Sequence, residues 1–309
     1  MSILTITLNP CIDKSTSVAM IKPEQKMRCE TPKFEPGGGG INVSRAIKKL
    51  NGESTALYMA GGHTGTFFQT LMNAEAIESI VVPISGQTRE NFIVVDETTS
   101  FQFRFGMEGP TLLETELNNC LSMIYETKNV QYLVASGSIP NGVPSDFYAK
   151  IAAAAKQKNA RFILDTSGEA LREAADEGVY LLKPNLAELS ALSGVVELAF
   201  DDVDEVAQKL VADGKCEVVV VSLGAAGAML VTKDILKHIP APKVNVRGTV
   251  GAGDSMVAGM VLSLQRGRDL ESVVQYGVAC GSSTTMSVGT GLCNLTDVER
   301  LYKLIKRMA

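Results

Sequence analysis

Residues 131–165 read QYLVASGSIPNGVPSDFYAKIAAAAKQKNARFILD. Two runs within it, "QYLVAS" (131–136) and "RFILD" (161–165), are short, β-rich and nearly continuous in apolar character. Such runs suit strands buried on both faces of a parallel sheet. Between them "SDFYAKIAAAAKQKN" (145–159) is amphipathic and predicts the crossover helix of a βαβ unit.

The same alternation extends outward in both directions. "ILTITL" (3–8), "STALYMA" (54–60), "VYLLK" (179–183) and "EVVVVSL" (217–223) read as further buried strands, and "DDVDEVAQKLVADG" (201–214) as another amphipathic helix. The chain therefore predicts an α/β fold with a doubly wound sheet. Residues 12–34 and 88–107 break the pattern with shorter alternating runs: "STSVAMI", "MRCETPKF", "NFIVVDE" and "SFQFRFG". These predict a small antiparallel sheet with one solvated face, built from two excursions out of the main domain. No internal repeat or low-complexity linker divides the sequence.

Composition narrows the function classes. With 309 residues, 45% hydrophobic and 20% charged, the chain can bury a sizeable core. A net charge of -5 leaves no electrostatic footprint for nucleic acid or an anionic membrane. Positive contacts to an anionic substrate must then be few and local. Six cysteines without a Cys-x-x-Cys pair read as reduced core fillers, and two distant histidines offer little to a histidine-based metal site or triad. "MSILTITLNP" has no basic segment leading into a long apolar run, which predicts the cytoplasm.

Two glycine clusters carry the chemistry. In "RGTVGAGDSMVAGMVLSLQRG" (247–267), Val257, Met260, Val261 and Leu264 fall on one face of a helix. Gly251, Ala252 and Gly253 then sit at its N-terminus, where N–H groups and the helix dipole favour an anion, with Asp254 in the first turn. An acid there is an ordinary stabilising feature. Beside a backbone anion site, however, it also suits proton removal during transfer of an anionic group to a hydroxyl. The second cluster, "PGGGGINV" (36–43), fails the Gly-x-Gly-x-x-Gly fingerprint, because Asn42 or Val43 stands where the third glycine belongs. No Walker loop occurs either. Asn42 can both donate and accept, and with Asp13 after the first strand it suits a hydroxyl-rich ligand lying on glycine backbone. In "LLKPNLAELSAL" (181–192), Asn185 and Glu188 fit a capping box and equally a Mg²⁺ site at a strand end. "VVVSLGAAGAML" (219–230) reads as strand, glycine turn, strand.

"PGGGGINVSRA" (36–46) and "TVGAGDSMVAG" (249–259) resemble the two signature regions of the ribokinase-like sugar kinases, in the phosphofructokinase B branch. "NP-x-x-D" (9–13), "DTSGEAL" (165–171), "KPN-x-x-E" (183–188) and "VVVSLGAAGA" (219–228) extend the likeness over essentially the whole chain. The resemblance implies a three-layer Rossmann-like domain (1–11, 35–87 and 108–309) with a β-sheet lid (12–34 and 88–107), dimerising through the lid. It implies ATP-dependent phosphorylation of fructose 6-phosphate at its C1 hydroxyl. Tagatose 6-phosphate or fructose 1-phosphate is the alternative acceptor, and a non-catalytic sugar-phosphate sensor would have lost Asp254 or its glycines.

The resemblance also implies roles. Asp254 is the general base, with Gly251, Ala252 and Gly253 as anion hole. Asp13, Gly38, Gly39, Asn42 and Ser138 hold the sugar; Lys26, Arg89 and Arg104 face its phosphate, and Arg28 reaches across a dimer. Lys183, Asn185, Ser222, Gly224, Gly227 and Ser282 line the ATP site, and Glu188 orders Mg²⁺ through water. A monovalent cation, K⁺, is implied at loops holding Gly248, Val250, Thr284, Ser287, Gly289 and Gly291. Relatives acting on fructose 1-phosphate or tagatose 6-phosphate commonly carry lysine where this chain has Gly39, which favours fructose 6-phosphate.

Overall fold

The computed structural model describes residues 3–195, 198–287 and 289–308. The first half of the chain builds β1 (Ile3–Thr7), β2 (Cys11–Val18), β3 (Lys33–Gly37), α1 (Gly39–Lys49), β4 (Thr55–Ala60), α2 (Gly62–Ala74) and β5 (Glu78–Pro83). Then follow β6 (Arg89–Asp96), β7 (Gln102–Phe105), α3 (Glu114–Glu126), β8 (Tyr132–Ser136), α4 (Phe147–Gln157) and β9 (Arg161–Asp165). The second half adds α5 (Gly168–Glu177), β10 (Val179–Leu182), α6 (Leu186–Ser193), α7 (Val203–Ala212) and β11 (Cys216–Ser222). It closes with β12 (Ala228–Val231), β13 (Leu236–Ile239), α8 (Ala252–Gln265), α9 (Leu270–Thr285) and α10 (Leu295–Met308).

The main sheet has the order β13-β12-β11-β10-β9-β8-β1-β4-β5. It is parallel from β5 to β11, and β12 and β13 add an antiparallel edge. Strand side chains alternate between its faces. On β1, Leu4 and Ile6 enter the core beneath α3 to α7, while Ile3 joins the core shared with α1, α8, α9 and α10. Helices on both faces of a buried sheet make the three layers.

β3, β2, β6 and β7 form a separate four-stranded sheet. The expected antiparallel pattern is corrected here, because β2 and β6 pair in parallel over Cys11–Val18 and Arg89–Asp96. β1 and β5 run the same way in the main sheet, and each passes through a short link into its excursion. The two excursions therefore leave in one direction. "MRCETPKF" supplies only Lys33 and Phe34 to β3, which instead runs on through residues 35–37. Ile12, Ile41, Tyr58, Phe68 and Met72 form a third core against α2. No helix among the described residues is long and apolar enough to cross a membrane.

Candidate active site

The strand order turns at β1, with β4 and β5 on one side and β8 to β11 on the other. In open α/β sheets ligands bind at the carboxyl ends of strands beside such a point. Ser136, Asp165 and Ser222 are the last residues of β8, β9 and β11, and Lys183 follows β10.

Asp254 is placed there by α8, which opens at Gly251 in the left-handed conformation (φ 71°) without a side-chain cap. First-turn N–H groups are thereby left for a ligand. Asp254 Oδ2 accepts from Asn42 Nδ2 at 3.0 Å, and its Oδ1 accepts from Ser136 Oγ at 3.0 Å. Desolvation in the cleft and the charge of Asp165 push its carboxyl up to about 6, against the Asn42 and Ser136 hydrogen bonds and Lys183. A carboxylate at that value is poised to take a proton near neutral pH.

Lys183 and Asp165 form a buried ion pair at 3.0 Å beside the helix N-terminus. Burial works against the lysine's charge, but Asp165, Glu188 and Asp254 together hold its pKa above the usual range. A Cβ built on Gly253 would lie 3.6 Å from Lys183 Nζ, so the cation faces the proposed anion hole. Asp165 and Ser136 gain a role only from this convergence. The available signal was position, since Asp165 ends the run "RFILD" at the functional edge of the sheet.

The glycines at 37–40 form a floor by close approach. Gly38 adopts φ 111°, a region that side chains rarely enter. A Cβ on Gly39 would lie 2.4 Å from Ser136 C and Oγ, and one on Gly37 would lie 2.3 Å from Asp13 Oδ2. Asp13 Oδ1 accepts from Asn91 Nδ2 at 3.0 Å and from Cys11 Sγ at 3.3 Å, and burial raises its pKa. Arg89 donates to Met107 O and Asn9 O, both at 3.0 Å, and Asn9 Nδ2 donates to Ser138 Oγ at 3.2 Å. Thr7 Oγ1, Asn9 Oδ1 and Arg89 Nε are buried without a partner among the described residues. Three unsatisfied polar atoms around one strand end fit a polar, hydroxyl-bearing ligand. Lys26, Arg28 and Arg104 are exposed on the small-sheet layer. Arg104 bonds Gln102 Oε1, and no hydrogen bond or ion pair joins these three to the Asp254 cluster among the described residues.

On the other side of α8 lies a cavity of about 730 Å³. Asn185, Ser222, Gly224, Gly227, Ala252, Gly253 and Ser282 line it, with Val244, Met256 and Val278 supplying apolar walls. Its two turn glycines differ. Nothing lies within 4 Å of a Cβ on Gly224, whereas one on Gly227 would meet Ile239 O at 2.0 Å. Gly227 serves packing; Gly224 keeps the cavity open. Asn185 and Glu188 do form the capping box, with reciprocal bonds of 2.9 Å. Burial raises the Glu188 pKa, against the Asn185 N–H and Lys183.

At the predicted cation loops, a Cβ on Gly248 would stand 3.5 Å from Ser287 O and 3.7 Å from Gly289 O. The Thr284 hydroxyl is turned inward, bonding Ser255 Oγ at 2.7 Å and Cys280 O at 3.1 Å. Val250 and Gly291 flank these loops, and Val288 lies outside the described residues.

A parallel sheet with its carboxylate, anion site and glycine floor at one edge defines a phosphotransferase of the sugar-kinase kind. The chain belongs to the pfkB family of carbohydrate kinases, whose model matches residues 3–297. It is 42% identical to the ATP-dependent 6-phosphofructokinase isozyme 2 of Escherichia coli, over 99% of both chains. It is 36% identical to the 1-phosphofructokinase of Bacillus subtilis, over 94% of each. Solved structures of the Escherichia coli protein, phosphofructokinase-2, superpose over 99% of both chains. The complex with potassium has a TM-score of 0.95 at 42% identity, and the complex with fructose 6-phosphate 0.93 at 40%. A tetrameric inhibited form of the same protein gives 0.94 at 41% identity.

Proposed function

We propose that this chain phosphorylates fructose 6-phosphate at its C1 hydroxyl, with ATP as phosphoryl donor, giving fructose 1,6-bisphosphate. The observation that carries the reading is Asp254, held by Asn42 and Ser136 between the glycine floor and the N-terminus of α8. On this reading the sugar lies on Gly38 and Gly39 with Asp13, Asn42 and Ser138 at its hydroxyls. ATP enters the cavity beyond α8, past Asn185, Ser222, Gly224 and Ser282. Asp254 takes the proton from the attacking hydroxyl. The N–H groups at Gly251, Ala252 and Gly253, with Lys183, take the charge that builds on the transferred group.

The Glu188 carboxylate suits a water of a Mg²⁺ ion arriving with the nucleotide, since Mg²⁺ keeps several waters and takes few protein ligands. When bound, the ion supplies charge neutralisation on the donor phosphates. The facing carbonyls of Ser287 and Gly289 suit K⁺. The four-stranded sheet, with 12–34 and 88–107, acts as a lid that excludes water from the transfer. Phe101 (67% exposed), Phe105 (50%) and Met107 (52%) on it support dimerisation through this sheet, which gives the exposed Lys26, Arg28 and Arg104 a sugar phosphate to meet. The reading places the enzyme in the cytoplasm, where both substrates are found.

The deciding experiment is a coupled ADP-release assay on fructose 6-phosphate, tagatose 6-phosphate and fructose 1-phosphate. The highest kcat/KM is expected on fructose 6-phosphate. A clear preference for fructose 1-phosphate would replace this acceptor with the one that the Bacillus subtilis relative is named for.

A further inference from the structure

A second carboxylate, remote from the transferred group, joins the two halves of the site. Glu35 lies on β3, two residues before the glycine floor, and is 8% exposed. Its Oε1 accepts from Arg45 Nη2 at 2.9 Å and pairs with Lys33 Nζ at 3.1 Å. Its Oε2 accepts from the Thr290 hydroxyl at 2.6 Å, across 255 positions of sequence. Arg45, on the helix that also carries Asn42, is 4% exposed, and donates further to Pro36 O at 3.1 Å and Glu75 Oε1 at 2.9 Å.

Thr290 belongs to the loop after α9, and that loop reaches the opposite side of the site. Gly289 O faces Gly248, and Leu292 Cδ2 would stand 2.7 Å from a Cβ on Gly251, the residue that opens α8. Arg247 N and Gly248 N donate to Thr285 O at 2.7 and 3.2 Å. The chain itself links Gly37 to Glu35 through Pro36, and Thr290 to Leu292 through Gly291. The Glu35–Thr290 hydrogen bond joins the two pieces, ending where Leu292 packs at Gly251. That bond is short, buried and charge-assisted.

We propose that Glu35 is a positioning residue, acting through Thr290 to fix the loop after α9 against the glycine floor. Sugar site and anion hole are thereby set in one geometry. The inference rests on the phosphosugar-kinase reading above. It assigns Glu35 and Thr290 no contact with either substrate.

Thr290→Val tests it with least risk to folding, because the shape is kept and the Glu35–Arg45 pair stays intact. Thr290→Ser is the rescue, and Glu35→Gln the stronger variant. Loss of one charge-assisted hydrogen bond at the loop should cost about tenfold in kcat, with KM for ATP changed less than about twofold. Thr290→Ser should return close to wild type. Hydrogen exchange gives a readout that a merely structural role would not move. Fructose 6-phosphate added without nucleotide should slow exchange in peptides covering 289–295 of the wild type, and this protection should vanish in Thr290→Val. Unchanged kcat in Thr290→Val overturns the proposal, whether or not its melting temperature falls. Absence of sugar-induced protection in the wild type overturns it too. If the wild type prefers another sugar phosphate, the substrate reading fails separately, and the same comparison run with that sugar tests the positioning role.

Discussion

Replacing Gly39 with alanine tests the geometry of the glycine floor. At an open position Gly→Ala would stabilise the chain by about 0.4–1 kcal/mol, by narrowing the unfolded ensemble. At position 39 the new Cβ lands 2.4 Å from Ser136 C and Oγ and 2.6 Å from Gly137 N, well inside van der Waals contact. Two of those atoms are backbone, so a strand end or a helix start must shift. Overpacking of this kind costs about 1–3 kcal/mol, leaving a net loss of about 1–2 kcal/mol. For a chain of this size that lowers Tm by about 2–4 °C in a calorimetric scan. Activity should suffer more, because Ser136 is one of the two groups that orient Asp254. A displacement of about 1 Å there costs about 10²-fold in kcat. A Gly39→Ala protein that melts at or above wild type with undiminished kcat would refute the close-approach argument. The same distances change the meaning of the missing lysine. In this chain position 39 admits no side chain without moving the end of β8. Gly39→Lys should therefore lose activity on fructose 6-phosphate without gaining fructose 1-phosphate kinase activity.

Three further outcomes follow from the Asp254 cluster. With the Asp254 carboxyl at about 6 in the free protein, kcat/KM should fall with unit slope as pH drops below about 6, in a pH–rate profile at limiting substrate. That pKa exceeds the ordinary carboxylate value of 3.8, so the native state binds the extra proton between about pH 4 and 6. Stability is therefore fully present below that window and lost as pH rises through it, by at most about 3 kcal/mol. Asp254→Asn should escape the loss and unfold at a higher denaturant midpoint than wild type at pH 8. Lys183→Met leaves Asp165 buried and uncompensated, at about 3–5 kcal/mol in chemical denaturation. Because the Lys183 charge lowers the Asp254 pKa, any residual activity should show its acid limb at higher pH. Gly253→Ala meets only ordinary contacts at 3.6–3.9 Å inside α8, so its Tm should equal or exceed that of wild type while the methyl group, set in the anion hole, cuts kcat.

Much of this architecture was legible because buried parallel strands carry unbroken apolar runs. β1, β8, β9 and β11 stand out for that reason. β5 and β13 did not, since edge strands are half exposed and polar residues open "ESIVVP" and interrupt "LKHI". The parallel pairing of β2 with β6 was also hidden. It depends on how the main sheet launches both excursions, and alternation within a strand carries no information about direction. At the site, Asp254 and the glycines were readable because helix N-termini have a local signature. Asp165 and Ser136 acquire meaning only when β8, β9 and α8 converge. Glu35 and Thr290 have no sequence signal at all, because a hydrogen bond across 255 positions leaves no trace in spacing.

The proposed transfer depends most directly on Asp254 as the group that takes the hydroxyl proton. Its direct test is the kcat of Asp254→Asn on fructose 6-phosphate, measured beside equilibrium binding of the same sugar. The amide keeps the size of the side chain and can still bond Asn42 and Ser136, but it cannot accept a proton. kcat should fall by about 10²–10⁴-fold with sugar affinity nearly unchanged. A kcat within a few fold of wild type would contradict this role for Asp254.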